Sequence, residues 1–158
     1  MTKQISLSRT TREDLDTLFL FQRDPEACYL AAFTSKDPDD KEAYINKYAK
    51  FLDDPSIHMC TIRLEDKIIG SISKFVLFDE AEITYWIDKP YWGQGYGTDA
   101  LTRFLQIEPT RPLKGRTAFD NYHSQKVLEK CGFVRTGTDR GFANARGTEI
   151  EEYIFELV

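Results

Sequence analysis

Three glycines at alternate positions, Gly93, Gly95 and Gly97, separate an apolar run from a predicted helix. Because glycine lacks a Cβ atom, such a bend lets successive backbone N–H groups turn toward one point. Where a helix begins at the bend, its first N–H groups have no partner inside the helix, and the helix dipole adds about half a positive charge. The pattern predicts an anion site suited to phosphate, with a plain strand-to-helix turn as the alternative.

The spacing of these glycines excludes two common phosphate-binding motifs. The segment does not match GxxxxGK[ST], which excludes a nucleotide P-loop. Its pattern is GxGxG rather than GxGxxG, and it follows a β-meander instead of opening a βαβ unit. The dinucleotide-binding fingerprint is therefore excluded as well.

The strand before the bend adds a second binding feature. Residues 81–87, AEITYWI, are predicted to form a strand that ends at Lys89-Pro90, because proline cannot donate to a strand ladder. A strand splayed by such a break leaves unpaired N–H and C=O groups, which can pair with an amide-bearing ligand. Amides along the strand and a pyrophosphate at the helix together describe coenzyme A.

Hydrophobic periodicity predicts the elements that must position this site. In chain order they are a strand at 5–10, a helix after Thr11, a second helix after Pro38, three strands within 57–87, a helix from about Thr98 to Ile107, a strand at 113–119, a helix from Asn121 to Cys131, and two closing strands around the loop DRGFANARG at 139–147. This order is neither all-β nor a plain βαβ alternation. It predicts a single domain over residues 1–158, in which a mixed sheet carries helices on its faces.

Composition and charge exclude several classes of function. The net charge of −5 argues against a general nucleic-acid binder and permits a cationic partner. No apolar run approaches the roughly 18 residues of a membrane span, and the N-terminus has no signal-peptide core. The cysteines Cys28, Cys60 and Cys131 are far apart and are expected to be reduced thiols of a cytoplasmic protein. With no CxxC pair, no zinc or other metal site is predicted.

Two segments resemble the signature motifs of the GNAT superfamily of acetyl-CoA-dependent N-acetyltransferases. EITYWI…YWGQGYGTDAL is similar to the family's aromatic strand followed by W-G-x-G-[YI]-[GA]-T-[ED]-A, and DNYHSQKVLEKCGFVRTG is similar to N-x-x-S-x-[KR]-V-L-E-K-x-G-F. The resemblance is greatest to the ribosomal-protein N-terminal acetyltransferase branch, and the order of elements fits over nearly the whole chain. It implies an α+β (mixed α/β) GNAT fold, with a central, mostly antiparallel sheet, a splayed parallel pair and helices on both faces. It also implies acetyl-CoA as co-substrate.

The resemblance further implies which residues hold acetyl-CoA. The backbones of Tyr85, Trp86 and Ile87 should face the pantetheine arm, and Asn121 should bond a pantetheine amide. The residues implied to wrap the pyrophosphate are Gln94, Gly95, Tyr96, Gly97 and Thr98. Lys126 is placed to reach a phosphate. The general family pattern has Gln or Arg three residues before the middle glycine, where this chain has Trp92, as is common in the ribosomal-protein branch.

Acetyl transfer to nitrogen requires a neutral amine. A lysine-like amine with a pKa of about 10.4 is neutral about once in 2,500 molecules at pH 7, which costs about 4.6 kcal/mol, so a general base matters. An α-amino group needs only about 1.4 kcal/mol. Glu82 is the predicted base, because several family members keep a glutamate at this place; the alternative is a solvated charge at the strand end. Strand alternation puts Glu82, Thr84 and Trp86 on one face.

The departing CoA thiolate needs a proton. Many family members use a tyrosine where this chain has Leu128, so the usual acid is absent. Ser124, which the resemblance places near the thioester sulfur, is the predicted donor, with Tyr122 behind it. The alternatives are an ordinary role for Ser124 in the first helical turn, and protonation of the thiolate by solvent or by the amine's own proton.

The resemblance, together with these residues, implies an N-acetyltransferase that moves acetyl from acetyl-CoA to a primary amine by direct attack in a ternary complex. The acceptor is a protein N-terminus or a small amine, and the protein is a monomer or a homodimer. The absence of the tyrosine keeps a non-catalytic acyl-CoA sensor or interaction module as the alternative. Two further features stay open. The 139–148 loop contacts substrate, contacts a second subunit or is a plain hairpin loop; Phe33, Tyr44 and Tyr48 line the acceptor pocket or belong to the core.

Overall fold

The computed structural model describes residues 4–158, which form one seven-stranded sheet and five α-helices. The elements in chain order are β1 (Ile5–Arg9), α1 (Asp14–Phe21), α2 (Pro25–Ala31), α3 (Lys41–Asp53), β2 (His58–Leu64), β3 (Lys67–Leu77), β4 (Glu80–Ile87), a 3-10 turn (Lys89–Tyr91), α4 (Tyr96–Ile107), β5 (Leu113–Ala118), α5 (Tyr122–Lys130), β6 (Val134–Ala143) and β7 (Thr148–Leu157). The strand order across the sheet is β1-β2-β3-β4-β5-β7-β6. No helix in residues 4–158 is both long enough and apolar enough to span a membrane.

The sheet is antiparallel except at its centre, where β4 and β5 run parallel. β3 and β4 are paired along the whole of β4, from Gly70↔Ile87 to Leu77↔Glu80. β4 and β5 are paired only at Glu82↔Lys114 and Ile83↔Gly115. Beyond Ile83 the two strands separate and leave a gap in the sheet. This arrangement confirms the predicted fold class, including the splayed parallel pair.

Helices cover both faces of the sheet, as predicted. On one face, Leu101 and Phe104 of α4 are fully buried in the main core with Ile72 and Ile83 of the sheet. On the other face, α1 and α3 enclose a second cluster, in which Leu15 and Leu18 pack around Met59 together with Tyr44, Ile45 and Tyr48. The gap between β4 and β5 therefore lies between two layers of helices.

Helix α2 is absent from the sequence-based prediction. The helix has seven residues, of which only Ala27 and Cys28 are buried, so it is too short to produce a periodic pattern. Its start signal is nevertheless present in the sequence. Asp24 accepts hydrogen bonds from the backbone N–H groups of Glu26 at 2.9 Å and Ala27 at 3.3 Å, and Pro25 occupies the first helical position. Helix α4 also begins at Tyr96, two residues before the predicted start.

The predicted loop at 139–147 is wrong for its first five residues. These residues extend β6 and pair with β7, from Asp139↔Glu152 to Ala143↔Thr148. Only residues 144–147 connect the two strands. β6 lies at the edge of the sheet and most of its side chains are exposed, so its polar sequence gives no alternating pattern.

Gly70 fixes the close approach of β3 to the end of β4. A Cβ atom at this position would lie 2.0 Å from the carbonyl oxygen of Trp86, which is backbone and has no freedom to move aside. We expect Gly70→Ala to destabilise the protein by about 1–3 kcal/mol or more, since the added methyl group overpacks a paired strand. Chemical denaturation would measure the loss.

Gly137→Ala is the matched control for this substitution. Gly137 also lies in a strand, but an added Cβ would meet nothing within 4 Å. We expect Gly137→Ala to change the free energy of unfolding by less than about 1 kcal/mol. Equal stability of the two variants would contradict the steric role of Gly70.

Candidate active site

Two cavities meet at the gap between β4 and β5. The larger cavity, about 730 Å³, lies between the sheet and the helices α1 and α3, and the smaller one, about 130 Å³, lies beside the glycine bend. Both are lined by the same residues at their junction, which are Ala31, Tyr85, Trp86, Asn121 and Ser124. The junction therefore brings together four residues that the sequence analysis assigned to the site.

The glycine bend has the conformation expected of an anion site. Gly93 (φ 75°) and Gly95 (φ 83°) are left-handed, which a residue with a side chain adopts only with strain. Gly95 is the N-cap of α4 and provides no side-chain cap. The first hydrogen bond of the helix joins the N–H of Asp99 to the carbonyl of Gly95, so the N–H groups of residues 96–98 lack a helical partner. These groups lie at the positive end of the helix dipole.

The residues predicted to contact the phosphates of the cofactor, together with Trp92 of the same motif, divide into two groups. Those that line the smaller cavity are Trp92, Gly95, Tyr96, Gly97 and Thr98. Gln94 and Lys126 do not line either cavity. The Gln94 side chain donates instead to the carbonyl oxygen of Pro90 at 3.2 Å. The Trp92 indole N–H donates to the carbonyl oxygen of Ile87 at 2.7 Å, which ties the bend to the end of β4.

Tyr85 brings a phenol to the junction of the cavities. Its ring packs against α4, where a Cβ atom on Gly97 would lie 3.5 Å away. Its Oη and the Oγ of Ser124 lie 3.1 Å apart, in hydrogen-bond contact. Burial raises the pKa of Tyr85 to about 12, so the phenol is protonated at neutral pH. The sequence analysis assigned Tyr85 only through its backbone and missed the role of its side chain. The available signal was strand alternation, which puts Tyr85 on the face opposite to Glu82.

Asn121 holds the start of α5 against α2. Its Oδ1 accepts the N–H of Ser124 at 3.3 Å, as an N-cap, and its Nδ2 donates to the carbonyl oxygen of Leu30 at 3.3 Å. One amide hydrogen and one oxygen lone pair remain for a further partner, such as the predicted pantetheine amide. Tyr122, the predicted second donor, is 66% exposed and lines neither cavity.

Glu82 lies where β4 still pairs with β5, at the closed end of the gap, and is 2% exposed. Both of its carboxylate oxygens are 3.1 Å from Nε of Arg116, whose Nη1 contacts Glu152 at 2.8 Å and Asp139 at 3.3 Å. Burial raises the pKa of Glu82, and the neighbouring Arg116 opposes this shift. Glu82 is thus a buried carboxylate, and the alternative of a solvated strand-end charge is wrong.

Arg116, Asp139 and Glu152, which complete this cluster, are absent from the sequence-based prediction. They come from three strands, and the register that joins β5 to β7 and β7 to β6 places them together. The pattern of a single strand contains no signal for such a contact. The separation along the chain is 34 residues between Glu82 and Arg116.

Leu128 occupies the position at which the family pattern has a tyrosine. Its side chain is buried against β5, where a Cβ atom on Gly115 would lie 3.0 Å from a Leu128 methyl group. No phenol comes from α5 at this point. The phenol in hydrogen-bond contact with Ser124 is that of Tyr85, on β4.

The connection between β6 and β7 is held by hydrogen bonds to α2, to the residues that follow α2 and to the residue before Asn121. The Arg146 guanidinium forms two hydrogen bonds of 2.9 Å with Asp120 and one of 2.6 Å with the carbonyl oxygen of Tyr29. Asn144 donates to the carbonyl oxygen of Thr34 at 2.7 Å. These contacts fix α2 and the segment that precedes Asn121, so both side chains have a structural role.

Residues 4–134 match the family model described as an acetyltransferase (GNAT) domain. The chain belongs to this family. It is an acyltransferase with acetyl-CoA as co-substrate, as the two sequence motifs predicted. The acetyltransferase is 23% identical to the uncharacterized N-acetyltransferase p20 of Bacillus licheniformis, in a match that covers 99% of this chain and 94% of that protein.

Solved acetyltransferase structures share the fold of this acetyltransferase. The microcin C7 self-immunity acetyltransferase MccE, in complex with acetyl-CoA and AMP, superimposes with a TM-score of 0.80 at 17% identity, covering 99% of this chain and 93% of that one. The ribosomal-protein-S5-alanine acetyltransferase from Vibrio fischeri superimposes with a TM-score of 0.77 at 16% identity, covering 100% and 94%. The comparison thus includes the ribosomal-protein branch that the sequence resembles.

Proposed function

We propose that this acetyltransferase moves the acetyl group of acetyl-CoA to a primary amine by direct attack in a ternary complex. The observation that carries the proposal is the meeting of two cavities at Tyr85, Trp86, Asn121 and Ser124. One cavity contains the glycine bend, which suits the pyrophosphate, and the other contains a buried carboxylate, which suits an amine. The thioester would lie at the junction, within reach of both.

Acetyl-CoA would enter through the smaller cavity. Its pyrophosphate would accept hydrogen bonds from the N–H groups of residues 96–98, at the positive end of the α4 dipole. Its pantetheine arm would run along β4 beyond Ile83, where β5 no longer pairs with that strand. The remaining hydrogen-bonding capacity of Asn121 would bind a pantetheine amide.

Glu82 is proposed as the general base. It lines the larger cavity, and its raised pKa makes its carboxylate a stronger proton acceptor than an exposed glutamate. The neutral amine nitrogen would attack the acetyl carbonyl carbon and form a C–N bond, while the C–S bond breaks. The proton lost by the amine would pass to Glu82, directly or through one water.

Ser124 is proposed as the proton donor to the departing thiolate. Tyr85 would donate to Ser124 Oγ as the serine proton passes to the thiolate, so that the serine regains a proton from the phenol and the phenol regains one from solvent. Tyr85 would thus position Ser124. Its phenol, on β4, would take over the role of the tyrosine that many family members have at the position of Leu128. The acceptor remains a protein N-terminus or a small amine, and the assembly a monomer or a homodimer.

The decisive test mixes the protein with acetyl-CoA and a panel of peptides and small amines, and follows free thiol. Amine-dependent thiol release, with a mass increase of one acetyl group on the amine, supports the proposal. CoA binding without amine-dependent release would favour the acyl-CoA sensor instead. Thiol release together with a stable acetyl-protein would contradict direct attack.

Glu82→Gln should lower kcat/KM by about 10²–10⁴-fold, the usual contribution of a positioned base. Wild-type activity should fall as the pH drops through the raised pKa of Glu82, because protonation removes the base. The variant should lack this acid limb, and its rate should rise with pH until the amine itself is neutral. Glu80→Gln is the matched control, since Glu80 is exposed and paired with Lys114 outside both cavities. An unchanged pH profile in Glu82→Gln would exclude Glu82 as the base.

Gly95→Val should abolish CoA binding, measured by calorimetry. A side chain at this left-handed position re-orients the first N–H groups of α4, and two lost charge-assisted hydrogen bonds at about 1.5–3 kcal/mol each weaken binding about 100-fold or more. Gly147→Val controls for backbone strain. Gly147 has a φ of 67° and open space around it but lines neither cavity. Both variants should lose about 1–3 kcal/mol of stability. Normal CoA affinity in Gly95→Val would overturn the pyrophosphate assignment.

A further inference from the structure

We infer that the acceptor is a small primary amine with an apolar body and no acidic group. This inference rests on the proposed function and specifies its acceptor. It depends on four properties of the larger cavity: aromatic walls, negative charge, buried polar atoms without a partner, and the absence of a free strand edge for a peptide.

The walls of the larger cavity are rich in aromatic rings. They include Phe33, Tyr44, Tyr48, Phe51, Phe75 and Trp86. The rings of Tyr44, Tyr48 and Phe51 contact one another in sequence along α3, with centroids 4.5 Å and 5.1 Å apart; the first pair is tilted and the second is edge-to-face. The ammonium of Lys47 already lies 5.3 Å from the Tyr48 ring centroid and 5.7 Å from that of Phe51. These rings therefore offer both an apolar surface and faces that attract an ammonium group.

The charge of the cavity lining is negative. Its ionisable side chains other than tyrosine are Asp37, Asp40, Lys47, Glu82, Arg116, Asp139 and Glu152. The guanidinium of Arg116 is shared by Glu82, Asp139 and Glu152, so three carboxylates face one cation. Such a lining attracts an ammonium group and repels a carboxylate or phosphate on the same molecule.

Two buried polar atoms of the lining have no hydrogen-bond partner within residues 4–158. They are the hydroxyl oxygen of Thr117 and the indole nitrogen of Trp86. Thr117 is only 6% exposed, and both residues line the larger cavity. Buried polar atoms are normally paired, so these two have hydrogen-bonding capacity left for a bound molecule. The hydroxyl can accept from an amine N–H, and the indole N–H can donate to a carbonyl oxygen.

The geometry favours a small molecule over a peptide chain. A volume of about 730 Å³ falls within the usual range for small-molecule sites. A peptide that binds by strand addition needs a free strand edge, but β3 and β4 are paired with each other along the floor of this cavity. The one free stretch of β4 borders the gap, which the proposed function assigns to pantetheine.

The test compares amines that differ in one property, with acetyl-CoA present and thiol release as the readout. Phenethylamine and phenylalanine share an aromatic body and a primary amine but differ by one carboxylate. We expect kcat/KM for phenethylamine to exceed that for phenylalanine by about tenfold or more, and to exceed that for short peptides with a free N-terminus by a similar factor. A preference for phenylalanine or for the peptides overturns the inference. If none of the amines or peptides causes thiol release, the proposed function itself is overturned. Release with peptides alone overturns only the acceptor class.

Glu152→Gln tests the role of the negative charge. Glutamine keeps an oxygen that can accept from Arg116 but removes one carboxylate from the lining. We expect KM for phenethylamine to rise about five- to tenfold, with KM for acetyl-CoA changing less than about twofold. Glu149→Gln is the control, because Glu149 lies on the same strand, is exposed and lines neither cavity. Equal KM values for the two variants would overturn the electrostatic part of the inference.

Discussion

The candidate active site depends on a parallel strand pairing that ends after two residue pairs. β4 is fully paired with β3 on one side, whereas β5 contacts it only at Glu82↔Lys114 and Ile83↔Gly115. Since a backbone group inside a protein must find a partner, the separated part of β4 is a ready site for the amides of a ligand. Both layers of helices leave the gap open, and the two cavities meet there.

The two joined cavities form a passage whose two ends carry opposite charge. At one end, uncapped N–H groups of α4 and the helix dipole favour an anion. At the other end, Glu82, Asp139 and Glu152 surround the single guanidinium of Arg116. A cofactor that is anionic at one end and an acceptor that is cationic before reaction would therefore be drawn into the passage from opposite sides. The phenol–hydroxyl pair of Tyr85 and Ser124 lies between the two, where the thiolate would form.

The sequence predicted those parts of the molecule that depend on local patterns. The alternate glycines and the cap Asn121 are short-range signals, and the motif order led to the correct family and sheet class. Helix α2 was missed because seven residues contain no full hydrophobic repeat, and the end of β6 was missed because an exposed edge strand has no alternation. The contacts of Glu82 with Arg116 and of Tyr85 with Ser124 span 34 and 39 residues. They depend on strand register and helix packing, which no window of the sequence contains.

The central claim is that CoA occupies the gap beside β4 and the start of α4. Hydrogen–deuterium exchange of the backbone amides, with and without saturating CoA, tests it most directly. The account predicts that CoA slows exchange in two segments, residues 84–87 of β4 and residues 96–98 of α4, while the connection at 144–147 is unchanged. CoA binding that leaves both segments unprotected would contradict the account.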